Sequence, residues 1–279
     1  MLAFIHIPKA AGTTLANILR RNFGRRHFDT RLFSDRPVFT AADYRRIRWL
    51  YPNLASIAGH GITGTSDLAS AVPQVRYFTF VREPISRMLS QYQFNWNCLS
   101  EEQRTGWTPD RYFEEVILSD FANVQSRMLA GDDGADRAID FLIRSDVFIG
   151  MTESYDESLV LFRHWTGMRD LDIRYRSVNE TSSVSNSLRS EIKHRLASDS
   201  DLRDRVEKAN EHDLRIYEFA RQRYQEQKAA YGEKLNCELE RFLETQAGAS
   251  EVSDDQLTSK LYRNVVYKPL RRWIFPRAA

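Results

Sequence analysis

The run that most constrains this chain lies at its start, within residues 1–23. Residues 2–7 are apolar and partly β-branched, and Pro8 and Gly12 then interrupt them. From residue 13 to residue 23, apolar side chains recur at the spacing of one helix face. The pattern predicts a strand, a tight loop and a helix. A loop in this position turns backbone N–H groups and the positive end of the helix toward an anion.

The loop itself reads Pro-Lys-Ala-Ala-Gly-Thr-Thr, which adds one cation and two hydroxyls. The common nucleotide loop has its lysine after the second glycine, whereas here Lys9 precedes the only glycine. The order resembles the 5′-phosphosulfate loop of sulfotransferases that use 3′-phosphoadenosine 5′-phosphosulfate, above all carbohydrate sulfotransferases related to heparan sulfate 2-O-sulfotransferase. That resemblance implies a role for Lys9 at the leaving oxygen. It also implies that the 5′ group is bound by Lys9, Ala10, Ala11, Gly12, Thr13 and Thr14.

A second strand and helix carry the next motif. Residues 75–81 are β-branched and aromatic, as in a buried parallel strand, and they run into Arg82 and a helix that begins near Pro84. A guanidinium can bind a terminal phosphate through two hydrogen bonds, and Ser90 lies eight residues further on. Arg82 and Ser90 resemble the 3′-phosphate site of these sulfotransferases, whereas Glu83 is not expected to contact the nucleotide. A surface ion pair is the alternative for Arg82.

His60 stands between two glycines at the end of a predicted strand over residues 54–58. Its place upstream of the Arg82 strand corresponds to that of the catalytic histidine in the heparan-type enzymes. The resemblance implies that His60 is a general base for the acceptor hydroxyl. The alternative is a structural histidine. His6, in the first strand, is predicted to orient the phosphosulfate loop from below.

The middle of the chain is helical in pattern, with helices predicted over residues 109–118, 120–129 and 136–143. The segment Asn-Val-Gln-Ser-Arg resembles one in the heparan-type enzymes. On that resemblance, Asn123 and Arg127 are predicted to bind the acceptor. An ordinary polar helix face is the alternative.

Beyond this region, a strand is predicted over residues 147–151 with a helix over 153–165, and a last strand over 172–178. A polar loop follows, and in the related enzymes a loop after the last strand closes over the nucleotide. Arg176, Asn179 and Ser182 are therefore predicted cofactor contacts, with a plain flexible loop as the alternative. Residues 202–224 predict one long amphipathic helix.

Charge is unevenly distributed along the chain, although the net charge is only +2, too balanced to indicate nucleic-acid binding. Nine arginines fall between residues 20 and 48, and six Lys/Arg with no acid lie between residues 260 and 279. Such runs indicate either a solvated face or a surface for an anionic ligand or membrane.

The two cysteines lack metal or redox spacing, which indicates free thiols in a reducing compartment. No apolar run approaches the ~20 residues of a membrane helix, and residue 1 leads directly into the first strand, so the prediction is a cytoplasmic protein. Residues 1–245 are predicted to form the sulfotransferase domain. Residues 246–279 would be a linker and a basic amphipathic tail, which either docks on the domain or contacts a membrane peripherally.

Together these patterns predict a three-layer α/β/α domain with a central, mostly parallel sheet and additional C-terminal helices. The resemblance covers residues 2–224 and implies transfer of a sulfuryl group to a hydroxyl of a carbohydrate or glycoconjugate, with 3′,5′-adenosine bisphosphate as product and no metal. An ATP-dependent kinase and a non-catalytic nucleotide binder are the alternatives. A kinase would need Mg²⁺ and would leave Arg82 and Ser90 unexplained.

Overall fold

The computed structural model describes residues 1–30, 38–132, 134–176, 186–247 and 261–270. At its centre lies a five-stranded sheet in the order β2-β3-β1-β4-β5, and every neighbouring pair is parallel. The strands are β1 (Leu2–Ile5), β2 (His27–Asp29), β3 (Ser56–Gly59), β4 (Arg76–Val81) and β5 (Phe148–Met151). All four residues of β1 are buried, because helices cover both faces of the sheet. The predicted α/β fold is confirmed.

The strand order creates a switch point in the middle of the sheet. After β1 the chain turns toward β2 at one edge, whereas after β4 it turns toward β5 at the other edge. The loops that leave β1 and β4 therefore diverge above neighbouring strands. Ligands of open α/β sheets bind in the crevice that such diverging loops leave.

Helices surround the sheet and extend beyond it. The first seven are α1 (Gly12–Phe23), α2 (Ala41–Ile47), α3 (Pro84–Cys98), α4 (Glu101–Arg104), α5 (Pro109–Tyr112), α6 (Leu118–Asp120) and α7 (Val124–Ala130). The next six are α8 (Ala135–Arg144), α9 (Tyr155–Thr166), α10 (Asn186–Ser198), α11 (Ser200–Ala209), α12 (Glu211–Tyr231) and α13 (Lys234–Ala247). A π-helical turn, Phe113–Ile117, joins α5 to α6, and another, Arg263–Tyr267, lies in the C-terminal helical segment 261–270.

Side-chain caps fix the start of several of these helices, among them α2 and α3. The hydroxyl of Thr40 accepts from the Asp43 N–H and the Asp43 carboxylate accepts from the Thr40 N–H, so α2 begins with a capping box. Glu83 caps α3 by accepting from the N–H groups of Ile85 and Ser86 at 2.9 and 2.6 Å. The Glu83 carboxylate is thus engaged by the fold, at the point where β4 passes into α3.

The core has two parts. The larger surrounds the sheet and contains a run of stacked rings, with Phe78 lying 5.0 Å from Phe4 and 4.6 Å from Phe162. The smaller lies beside α3 and buries Met88, Tyr92 and other apolar residues of α3, α10 and α11. The second core joins the helix that carries Ser90 to the helices that follow residue 186.

The single helix predicted over residues 202–224 is wrong, because the chain forms two helices there. Asn210 separates α11 from α12 and is fully buried. Its side-chain amide donates to the carbonyl of Val206 at 2.8 Å, a bond that terminates the first helix. The apolar spacing continues across the break and conceals it in the sequence.

Two other boundaries also differ from prediction. Residues 172–176 form no strand, since Tyr175 exchanges both backbone hydrogen bonds with the side-chain amide of Gln246 on α13. Residues 177 and 178 lie outside the described ranges. The helix predicted over residues 120–129 is interrupted at Asn123, whose φ of 49° begins a new helix at Val124.

Cys98 and Cys237 are both free and exposed, as their spacing predicts. Within the described ranges, no helix combines the length and the apolar character needed to cross a bilayer.

Candidate active site

The loop between β1 and α1 is curled by two residues in the left-handed conformation. Lys9 has a φ of 68° and Ala11 a φ of 56°, both rare for residues other than glycine. Ala11 is the N-cap of α1 and has no side-chain acceptor, so the first N–H groups of the helix, from Gly12 onward, are directed out of its end. The loop and the uncapped start of α1 have the geometry of an anion-binding helix end, and the binding of a 5′ group by Lys9 to Thr14 stays a prediction.

Gly12 is required here by the ring of His6. A Cβ at Gly12 would lie 1.9 Å from His6 Cδ2, a distance that no side chain can tolerate. The imidazole of His6 also stacks on Phe4, with 5.4 Å between ring centroids. His6 thus lies beneath the loop and supports it against the sheet.

His60 follows β3 and approaches the end of β1. Its Nδ1 lies 2.8 Å from the backbone carbonyl oxygen of His6, and the two imidazole rings are 4.2 Å apart. A carbonyl oxygen only accepts, so Nδ1 carries the hydrogen and donates it. In the neutral ring the lone pair is then on Nε2, which is the nitrogen available as a base.

His6 itself stays neutral. Burial, together with the nearby charges of His60 and Arg20, lowers the pKa of His6 to about 3. A neutral His6 adds no positive charge beneath His60. The imidazole of His60 therefore rests on an uncharged ring.

Arg82 meets the loop at the switch point. It follows the last residue of β4, and its Nη1 donates to the carbonyl oxygen of Lys9 at 3.2 Å. Burial lowers the pKa of Arg82, and the charges of Glu153 and Glu83 partly oppose that effect. The two sequence motifs, one after each central strand, are thus brought into direct contact.

Arg189, on α10, belongs to the same cluster, although sequence reasoning missed it. Its Nη2 donates to the hydroxyl oxygen of Ser90 at 2.9 Å, and among the described residues its buried Nε has no hydrogen-bond partner. The one sequence signal is its position a few residues after the polar loop that is predicted to cover a nucleotide. Ser90 is 5% exposed, so its hydroxyl is directed inward with this guanidinium.

Three cations therefore converge beside the loop. The pKa of Lys9 is lowered by burial and then by the charges of Arg189 and Arg82. The pKa of Arg189 is lowered by burial and by Arg82. Mutual repulsion of this kind is relieved when an anion with several negative charges binds between the cations.

Phe94 lies at the open side of the cluster. Its ring is 51% exposed, and Lys9 Nζ lies 4.2 Å from the ring centroid. Phe94 comes one helical turn after Ser90 on α3, so the same helix carries the Ser90 hydroxyl and an exposed aromatic surface. This position is not distinguished in the sequence from the other aromatic residues of α3.

The backbone of Arg82 is held by Gln125, a contact that the sequence also did not reveal. The amide N–H of Arg82 donates to Gln125 Oε1 at 3.0 Å, and Gln125 Nε2 donates to the Arg82 carbonyl at 2.9 Å. The carboxylate of Asp213, on α12, accepts from the backbone N–H groups of Gln125 and Ser126 at 3.1 and 2.7 Å. Gln125 is fully buried, so α7 acts as a clamp on the junction between β4 and α3.

The two predicted acceptor residues flank this clamp. Asn123 is 7% exposed and its side-chain oxygen accepts from the Asp213 N–H at 3.1 Å. Arg127 donates through Nη2 to the carbonyl of Asp120 at 2.8 Å. Both side chains hold α7 in place, and their contact with an acceptor stays a prediction.

The remaining predicted contacts lie further along the chain. Arg176 is exposed and follows Tyr175, whose hydroxyl donates to Asp156 at 2.7 Å. Asn179 and Ser182 lie outside the described residues. The cofactor roles of these three residues stay predictions.

In the part of the chain that the structure describes, no three His, Cys, Asp or Glu side chains are grouped as metal ligands.

A comparison with protein families matches residues 1–130 to the sulfotransferase family. The matched region contains the loop after β1, His60, Arg82 and Ser90, and it ends with α7. No curated protein matches the chain. The match supports a transferase that moves a sulfuryl group to an acceptor.

Proposed function

We propose that this protein transfers the sulfuryl group of 3′-phosphoadenosine 5′-phosphosulfate to a hydroxyl group of a carbohydrate or glycoconjugate. The observation that carries the proposal is the convergence of Lys9, Arg82 and Arg189 at the switch point, beside an imidazole whose Nε2 holds the lone pair. The match of residues 1–130 to the sulfotransferase family supports the same reaction class.

The residues present fit a nucleotide with phosphates at both ends of its ribose. The curled loop and the first N–H groups of α1 suit a 5′ phosphosulfate. Arg82, Ser90 and Arg189 form a separate group of donors for a 3′-phosphate, and the unpaired Nε of Arg189 is one of them. A second anionic group would therefore distinguish the donor from ATP.

When bound, the nucleotide supplies an activated sulfuryl group on a phosphate leaving group. His60 Nε2 is then the base that removes the proton of the acceptor hydroxyl as the new S–O bond forms. Lys9 and the N–H groups at the start of α1 would stabilise the negative charge left on the bridging oxygen when its bond to sulfur breaks.

The remaining contribution to the rate comes from holding the nucleotide and the acceptor in place, as in phosphoryl transfer. Arg82 ties the strand β4 to the carbonyl of Lys9, so the 3′ and 5′ sites keep a fixed separation. Phe94, half-exposed beside Lys9, offers an aromatic surface on which the apolar face of a sugar ring can stack. That contact and the resemblance to heparan-type enzymes favour a carbohydrate acceptor.

The proposal is tested first by ligand binding. Thermal shifts would be measured with 3′,5′-adenosine bisphosphate, 5′-AMP and ATP, each with and without Mg²⁺. A ligand at a hundredfold over its dissociation constant stabilises the folded state by about 2.7 kcal/mol. We expect the bisphosphate to stabilise the protein most, independently of Mg²⁺, and Arg82→Ala to remove its advantage over 5′-AMP.

Arg111→Ala is a matched control, because Arg111 is exposed and its described contacts are all local: the Glu115 carboxylate, the Gly106 carbonyl and the Trp107 ring. Strongest stabilisation by ATP with Mg²⁺ would instead indicate a kinase. A positive binding result leads to transfer assays with labelled donor and a panel of glycans. Binding without transfer to any hydroxyl acceptor would indicate a non-catalytic nucleotide binder.

A further inference from the structure

The C-terminal helical segment 261–270 packs against the edge of the sheet at β2. Tyr267 is 3% exposed and its ring lies 5.2 Å from that of Phe28. The hydroxyl of Tyr262 donates to the carbonyl of Leu50 at 2.5 Å. The inward face of this segment therefore joins it to the chain that follows α2.

The outward side of the same region carries several large apolar side chains. Leu261 and Val265 are each 66% exposed, and Leu270 is 41% exposed. Trp49 precedes the Leu50 carbonyl that Tyr262 contacts, and it is 91% exposed. Four of the eight large apolar side chains that are exposed in the described residues thus lie in this one region. We call Trp49, Leu261, Val265 and Leu270 the apolar patch.

Positive charge surrounds the apolar patch. Arg25 stacks over the ring of Tyr262, with 5.0 Å between the guanidinium carbon and the ring centroid. Other exposed cations in the neighbouring segments are Arg26, Arg45, Arg46, Arg48 and Lys268.

The acids of these segments offset only part of that charge, including that of Arg46, which lies 3.5 Å from the Asp43 carboxylate. In residues 20–30, 41–51 and 261–270 the only acids are Asp29 and Asp43. Asp29 is bound by two hydrogen bonds from Arg20, each 2.8 Å long, and Asp43 is 5% exposed within the cap of α2. The exposed charge of these segments is therefore positive.

We propose that the apolar patch and its surrounding cations form a docking surface for an anionic lipid bilayer. Tryptophan and aliphatic side chains enter the boundary between headgroups and acyl chains, while arginines and lysines bind anionic headgroups. A nucleic acid would match the cations and leave the exposed aliphatic side chains without a partner. The combination of both features in one region favours the bilayer.

The docking surface lies away from the candidate active site. The N–H of Ala55 donates to the carbonyl of Arg26, so these residues lie where β2 and β3 begin. His60 and Arg82 follow the opposite ends of their strands. A bilayer bound near the amino ends of the strands leaves their carboxyl ends open to an acceptor.

The test is sedimentation of the full chain with lipid vesicles. We expect binding to vesicles of phosphatidylcholine with phosphatidylserine, weak binding to phosphatidylcholine alone, and release at high salt. Trp49→Ser with Val265→Ser should reduce the binding constant at least about tenfold. Arg45→Glu with Arg48→Glu should reduce the binding constant for anionic vesicles by a similar factor and leave binding to phosphatidylcholine alone unchanged.

Matched controls come from exposed residues elsewhere. Ile143→Ser removes a side chain that is 55% exposed on α8, and Arg203→Glu with Arg221→Glu reverses two charges on α11 and α12. Both controls should bind vesicles as the unaltered chain does, and unchanged thermal midpoints would show that all variants fold.

Three results would overturn the proposal. The first is equal binding by patch variants and controls. The second is tighter binding to an RNA oligonucleotide than to anionic vesicles. The third is a concentration-dependent dimer that Trp49→Ser abolishes while vesicle binding is absent.

Discussion

The hydrogen bond from His60 to the His6 carbonyl decides which imidazole nitrogen is available for the base that we propose. Because Nδ1 donates, the lone pair of the neutral ring is on Nε2. His60→Ala should therefore reduce kcat about 10²–10⁴-fold and leave the affinity for 3′,5′-adenosine bisphosphate unchanged. Initial rates of transfer and isothermal titration of the bisphosphate measure the two quantities.

His194→Ala, in an exposed histidine of α10, is the control for this prediction. It should change neither the rate nor the affinity. A His60→Ala variant with full activity would assign His60 a structural role, and a loss of nucleotide affinity equal to the loss of rate would indicate a role in binding.

His6 should make the stability of the protein depend on pH. Its pKa is about 3 in the folded chain, below the ordinary 6.5. Below pH 6.5 the unfolded chain therefore takes up a proton that the folded chain does not, so the free energy of unfolding falls as pH decreases from 6.5 toward 3. Above pH 6.5 His6 contributes no such dependence.

The measurement is urea unfolding at about pH 7.5 and about pH 5. His6→Gln should show a smaller difference between the two conditions than the unaltered chain. The buried Asp29 does not interfere, because its pKa lies below the ordinary 3.8 and its contribution is lost only at lower pH. An identical difference in both proteins would show that His6 titrates normally.

Arg189 should determine selectivity for the 3′-phosphate together with Arg82. It donates to Ser90, its Nε is buried without a partner among the described residues, and its charge is close enough to lower the pKa of Lys9. A hydrogen bond to a charged group contributes about 1.5–3 kcal/mol, so Arg189→Ala should weaken bisphosphate binding about 10–100-fold. Binding of 5′-AMP should change much less, and equal losses for both ligands would contradict the assignment.

Helix α7 holds the backbone of Arg82, one of the residues that we propose for the 3′-phosphate site. Gln125 makes two hydrogen bonds to the backbone of Arg82, and Asp213 holds the start of α7 from α12. Gln125→Ala leaves a buried N–H and carbonyl unpaired, and should lower the free energy of unfolding by about 2–4 kcal/mol. It should also weaken bisphosphate binding more than 5′-AMP binding.

Gln222→Ala, at an exposed glutamine on α12, should alter neither property. Chemical unfolding and titration of both nucleotides separate the two effects of Gln125→Ala. Lower stability with an unchanged ratio of the two affinities would show that the clamp supports the fold alone.

The elements that sequence reasoning predicted well are those with local signals. The loop between β1 and α1 and the junction of β4 with α3 each combine an apolar strand, a break and a helix within about two dozen residues, so periodicity and turn chemistry suffice. Contacts between distant parts of the chain carry no such signal. Gln125 meets Arg82 across 43 positions, and Arg189 meets Ser90 across 99.

The same reason explains the helix boundaries that were wrong. Helix α11 ends at Asn210 because this residue is buried beside Met88, on another helix. Its side-chain amide donates a hydrogen bond to the carbonyl of Val206. Apolar spacing on its own predicts continuation through that residue. Tertiary burial of a polar side chain decides the boundary, and it is visible only once the chain has folded.

The whole molecule is closed at the β2 edge by residues from its C-terminal region. Among the described residues strand β2 pairs only with β3, so its other side is an exposed sheet edge unless another element covers it. Tyr267 packs there against Phe28 and Tyr51, at 5.2 and 6.4 Å between ring centroids. Residues far apart in the sequence thus complete one core.

Removing the Tyr267 ring should therefore destabilise the sheet, although Tyr267 is far from the strands in sequence. Tyr267 is 3% exposed, and Tyr267→Ala should lower the free energy of unfolding by about 3 kcal/mol. Leu261→Ala, in the same segment and 66% exposed, should change it by less than about 0.5 kcal/mol. Urea unfolding measures both, and bisphosphate affinity should be the same in both variants because the β2 edge is remote from Arg82. Equal and small losses of unfolding free energy in the two variants would mean that the segment does not stabilise the sheet. The docking surface would then lack the packing that holds its apolar side chains outward.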